Sequence, residues 1–154
     1  MRAGLFVALL AVSLAWMLWA QARMQHRVLS FLVGRAGGSS SRGARVTHLV
    51  QAAAAFIAVL VLAAAVLVEL RWNAVYLRVP LAASVLLVYV PFAATLGRTK
   101  LRKVRRTVEQ RMKELGAPPD VTTAIARAGR PWSLFGSLVM LAAVLILTWH
   151  HLRN

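Results

Sequence analysis

Four stretches of the chain lose their polar positions almost completely: Ala3–Ala22, Leu49–Leu70, Val79–Leu96 and Ser133–Trp149. Each is close to the roughly 17 to 25 helical residues needed to cross a hydrocarbon core of roughly 30 Å. None has Asp, Glu, Lys or Arg in its central part, and Glu69 falls at the end of the second. In lipid an isolated strand cannot satisfy its own backbone, and the ten-residue alternation of a membrane barrel is missing, so the pattern predicts helices. The expected fold is all-α: a single integral membrane domain, residues 1–154, with four transmembrane helices and connections at 23–48 and 97–132.

The polar positions between these stretches are overwhelmingly cationic. The chain is 60% hydrophobic yet carries a formal net charge of +15, a combination foreign to soluble domains and natural to greasy spans joined by basic loops. Of its 19 Lys and Arg, five (Arg23, Arg27, Arg35, Arg42, Arg45) lie between the first two spans and ten between Arg98 and Arg130. Arg2, Arg71, Arg78 and Arg153 remain for the other side. The positive-inside rule then makes both long connections cytoplasmic and both termini external, which suits a bacterial inner (cytoplasmic) membrane. The run after Met1-Arg2 ends in Ala20-Gln21-Ala22 and imitates a cleaved signal peptide. The five arginines behind it argue for a retained helix. Trp16, Trp19 and Trp132 at one boundary and Trp72, Tyr76 and Trp149 at the other form the expected interfacial belts.

After the third span comes LRKVRRTVEQRMKELG, from Leu101 to Gly116. Leu101, Val104, Val108, Met112 and Leu115 form one helical stripe, with most charges elsewhere. Arg105–Glu109 and Glu109–Lys113 are spaced as i,i+4 pairs, Gly116 supplies a stop, and Pro118-Pro119 prevents continuation. A basic amphipathic helix beside the membrane is therefore expected, its stripe available for docking a partner protein. Arg98, Lys100, Arg102, Lys103, Arg105 and Arg106 would contact anionic headgroups. No aromatic residue interleaves these charges, so nucleic acid is not the expected partner.

The earlier connection reads as a short apolar piece, HRVLSFLVGR, followed by a flexible linker, AGGSSSRGAR. Gly38 and Gly43 have phosphate-loop spacing, but Ala44 and Arg45 stand where Lys and Ser or Thr are required, so nucleotide binding is not expected.

Chemistry-bearing groups are few. With no cysteine, thiolate and iron–sulfur chemistry are excluded. His26 and His48 belong to one side and His150 and His151 to the other, so no metal or cofactor site is expected from them. No carboxylate occupies a span interior, where coupled transporters generally hold one. Pro91 removes a backbone donor in the third span and should kink it, leaving carbonyls that need partners. Gly4, Ala8, Ala11 and Ala15 of the first span and Ala54, Ala58 and Ala65 of the second form small-residue stripes expected to face each other. The functional expectation is a non-enzymatic accessory or assembly subunit of a larger membrane complex. A small oligomeric transporter or pore is the alternative.

Overall fold

The computed structural model describes residues 2–96 and 108–150. Its helices are α1 (Arg2–Ala36), α2 (Ser40–Trp72), α3 (Val75–Ser84), α4 (Val90–Ala94), α5 (Val108–Glu114) and α6 (Pro119–Leu147), and a π-helical stretch, Val85–Tyr89, joins α3 to α4. No strand occurs among the described residues. Four helical bodies are long and apolar enough to cross a membrane: α1, α2, the broken helix Val75–Ala94, and α6.

Three of these helices run well past the expected spans. At 1.5 Å per residue, the 35 residues of α1 cover about 52 Å and the 33 of α2 about 50 Å, against a hydrocarbon core of roughly 30 Å. The connection expected at 23–48 is therefore helix on both sides of a tight turn at Gly37, Gly38 and Ser39. The two glycines adopt φ of 58° and 80°, which side-chain-bearing residues avoid. Ser39 then caps α2, its hydroxyl accepting from the Arg42 N–H at 3.4 Å. The flexible-linker reading of AGGSSSRGAR is corrected accordingly. Its serines start a helix, and Gly43 lies inside that helix, where an added Cβ would meet Ile125 Cγ1 at 3.1 Å and Ala36 Cβ at 3.3 Å.

In the connection 97–132 the expected stop at Gly116 is present, and only the start of the last helix lies earlier than Ser133. α5 ends at Glu114, Gly116 turns the chain with φ 92°, and α6 begins at Pro119, where the missing proline donor is harmless. α6 then continues through Pro131 into the expected fourth span.

Burial divides the bundle into two stacked cores. One gathers Ala55, Ala58, Leu62 and Ala65 of α2 with Ala82, Val85, Leu86, Tyr89, Val90 and Ala93 of the broken helix and Val139, Met140, Ala143 and Val144 of α6. The other, at the Gly37 end, gathers Leu29, Leu32 and Ala36 of α1, Leu96, Met112 of α5, and Val121, Ile125 and Ala126 of α6. Leu29 and Leu32 of HRVLSFLVGR, with Val28 and Val33 against them, thus belong to this second core, while Phe31 is exposed.

The small-residue expectation holds only in part. Ala58 and Ala65 are buried and Ala54 partly so, packed among α3, the π-helical stretch and α6. Gly4, Ala8, Ala11 and Ala15 are exposed, and α1 instead turns Phe6, Leu9, Leu10, Leu14 and Met17 to the bundle. The two stripes do not face each other. Tight helix approaches are made instead at two glycines of α6. A Cβ on Gly136 of α6 would meet that of Ala93 at 2.7 Å, and one on Gly129 would overlap Leu96, reaching its Cγ at 2.9 Å.

Candidate functional site

Two polar constellations stand out against the apolar bundle, one along the broken helix and one at the Asn73 end. The first begins with Pro91. Having no N–H, it leaves the Leu87 carbonyl, four residues earlier, without its helical donor. The chain answers locally and from outside. Locally, the Val90 N–H reaches back to the Val85 carbonyl, closing the wider π turn. From outside, Trp16 Nε1 of α1 donates to the Leu87 carbonyl at 3.1 Å.

Further along α1, two glutamines serve the end of the helix that holds Pro91. Gln21 Nε2 donates to the Ala94 carbonyl at 2.6 Å and Gln25 Nε2 to that of Thr95 at 3.2 Å, supplying donors that a helix C-terminus lacks. Arg111 of α5 donates in turn to Gln25 Oε1. Trp16, Gln21 and Gln25 thus form a rail of side-chain donors on backbone acceptors. It fixes the Pro91 break in one geometry and gives the two glutamines a structural task.

The second constellation has three charged or titratable members. Glu69, in the last turn of α2, and Arg78, in the first turns of α3, are brought together by a reversal at Asn73 with φ 50°. Arg78 Nη1 lies 3.1 Å from Glu69 Oε1, and both side chains are under 5% exposed. His150, beyond α6, places Nε2 at 3.2 Å from the same oxygen. Glu69 Oε2, Arg78 Nε and the neighbouring Trp149 Nε1 are buried with no hydrogen-bond partner in the described structure. α2 and α3 are clasped here by a buried ion pair, and His150 brings the residues after α6 against the same carboxylate. Arg78 counts in the sequence only among the cations of the external side, and the structure buries it against Glu69. The available signal was the spacing of Glu69 and Arg78 on either side of a helix break.

The remaining candidate residues divide between the two ends. His48 Nδ1 accepts from Trp132 Nε1 at 3.0 Å, tying α2 to α6. His26 is exposed, and His151 lies outside the described residues. Among the described residues, no three of His, Asp and Glu converge as metal ligands. Of the expected docking stripe, Met112 is fully buried in the second core and Val108 and Leu115 pack against it. Met112 is therefore corrected from a partner contact to a core residue, because α1 and α6 extend far enough to cover it. Leu101 and Val104 lie outside the described residues, as do Arg98, Lys100, Arg102, Lys103, Arg105 and Arg106. Glu109 lies 3.7 Å from Arg130 of α6, a half-exposed pair of small energetic weight.

No known family, curated protein or solved structure matches this chain. Its reading rests on the residues themselves. What their arrangement offers is a clasped bundle with one helix, α1, displaying a long outward face.

Proposed function

We propose that the protein is an integral component of an inner (cytoplasmic) membrane and acts as a non-enzymatic accessory or assembly subunit of a larger membrane complex, with α1 as the principal contact helix. The observation that carries this reading is the outward direction of Gly4, Ala8, Ala11 and Ala15. Small residues on a span let a second backbone approach closely, and close packing drives helix association where lipid is as apolar as the protein. The supporting contrast is burial. Only 11% of the first apolar window is buried within the chain, against 44% of the third. α1 lies at the edge of the bundle, held by its large-residue face and its donor rail.

The cytoplasmic side is assigned to the Gly37 turn and α5, the external side to the Asn73 turn and both termini, from the distribution of Lys and Arg. The cations from Arg98 to Arg106 then face the headgroups of the inner leaflet. A cysteine introduced at Asn73 should react in intact cells with a membrane-impermeant maleimide, and one at Ser40 should react only after permeabilisation. Labelling of Ser40 in intact cells would invert this topology.

The subunit reading is tested by photo-crosslinking. A diazirine amino acid at Ala8 or Ala11 should yield one discrete protein adduct in native membranes, whereas the same probe at Phe56, exposed on α2, should yield lipid adducts alone. Crosslinks from α1 only to a second copy would transfer support to an oligomeric transporter or pore. Lipid adducts alone from α1 would defeat both.

A further inference from the structure

A cavity of about 260 Å³ opens between α1, α2 and α4, lined by Arg27, Val28, Phe31, Leu32, Val50, Gln51 and Phe92. Its walls are apolar and its polar content is unusual. Gln51 is 1% exposed, and neither its Oε1 nor its Nε2 has a hydrogen-bond partner in the described structure. A buried amide with both ends unmet is costly. Gln21 and Gln25, the other buried glutamines, each donate to a carbonyl of the broken helix; Gln51 has no such partner. Arg27, by contrast, is exposed.

Three observations identify the kind of molecule that fits. The first is size. Sites that enclose a whole drug-sized ligand run to roughly 300–1,000 Å³, so this cavity holds part of a molecule whose remainder lies outside. The second is chemistry: an almost wholly apolar wall, an unmet amide directly behind it that a side-chain rotation would present to a carbonyl, and an exposed cation at the edge. The third is depth. Gln51 lies just inside the apolar run that begins at Leu49, and Arg27 lies one helical turn beyond Arg23, whose guanidinium sits 4.9 Å from the centre of the Trp19 ring. Together with Trp132, this ring marks the interfacial belt. The cavity therefore sits where the ester groups and phosphates of a leaflet pass.

We propose that this cavity seats an anionic phospholipid of the cytoplasmic leaflet, its phosphate on Arg27, an ester carbonyl on the Gln51 amide, and the start of an acyl chain against Phe31, Leu32 and Phe92. The proposal rests on the membrane reading above but not on the subunit reading. Failure of the α1 crosslinks would leave it standing.

The test is native mass spectrometry of the full chain in a mild neutral detergent, with dioleoylphosphatidylglycerol, dioleoylphosphatidylcholine or inorganic phosphate added separately. Phosphatidylglycerol should give a retained one-to-one adduct, and inorganic phosphate alone should give none. Arg27→Gln should weaken phosphatidylglycerol binding about tenfold, the scale of a charge-assisted hydrogen bond, and phosphatidylcholine by less, because its choline cation offsets the same phosphate. Gln51→Leu should weaken both lipids, since both carry esters, and should raise the melting temperature of the delipidated protein by removing the unmet amide. Arg23→Gln, one turn away, should change neither. Val50→Trp fills the cavity without touching either polar group and should abolish the adduct, with helicity by circular dichroism confirming the fold. Equal lipid retention by the wild type, Arg27→Gln and Gln51→Leu would overturn the proposal. A phosphate adduct lost on Arg27→Gln would replace the lipid with a free anion.

Discussion

Glu69→Ala should destabilise the bundle by about 3–5 kcal/mol in unfolding experiments in mixed micelles, the largest single-residue loss expected anywhere in the chain. The substitution leaves the Arg78 guanidinium, 3.1 Å from its partner in the native protein and almost fully covered, with no counter-charge and no route to water. Arg78→Ala should cost a similar amount by stranding the carboxylate. The Coulombic gain of such a pair is largely offset by desolvation, so replacing both members should be far milder than replacing one. Glu69→Leu with Arg78→Met should recover most of the loss. His150→Asn should cost under about 1 kcal/mol, because the His150 side chain is 43% exposed and solvent screens the contact. A single Glu69→Ala loss below about 1 kcal/mol would show that the pair is hydrated and does not clasp the helices.

Gly129→Ala carries the second large effect, and its sign is informative. In an exposed helix interior, glycine to alanine stabilises by roughly 0.5–1 kcal/mol. Here the new methyl would fall within the Leu96 side chain, so the change should instead destabilise by about 1–3 kcal/mol, the usual range for overpacking. Leu96→Ala opens the required space, and the double variant should lose clearly less than the sum of the two single losses. Gly136→Ala should behave alike against Ala93 but less severely, since the intruding atom meets a single methyl at 2.7 Å. Stabilisation by Gly129→Ala would mean that α4 and α6 stand further apart than described.

These two sites also mark what the chain's pattern could and could not convey. Long apolar runs announce helices of spanning length because each must satisfy its own backbone, and all four runs lie in such helices. Pro91 announces a local disturbance because it lacks a donor, and the helix, though continuous, widens into a π turn just before it, with Trp16 on the Leu87 carbonyl. Which way a small residue faces is a different matter. In a span, lipid-facing and helix-facing positions are both apolar, so the period that separates inside from outside in a soluble helix is silent. Hence Ala8 and Ala11 read like packing residues and lie outside, while Gly129 and Gly136 carry the close approach. Composition misleads in a complementary way at Gly37 to Arg45. Glycine and serine suggest a linker, but three of those residues suffice for the turn and cap, and the rest are helix with Thr47 and Gly43 facing inward. The Glu69–Arg78 clasp was hidden because it depends on the reversal at Asn73.

The continuity of α1, α2 and α6 through both cores has a mechanical consequence. With no linker between the first core and the one at the Gly37 end, these helices are levers with their fulcrum in the bundle. The donor rail from Trp16 to Gln25 lies along one of them, between the open face of α1 and the contact with Arg111. A neighbour that tilted α1 by about 5° would displace a point roughly 20 Å beyond the fulcrum by about 2 Å, since 13 or 14 helical residues span that distance. What touches the outer face of α1 would therefore be felt at the far end as motion.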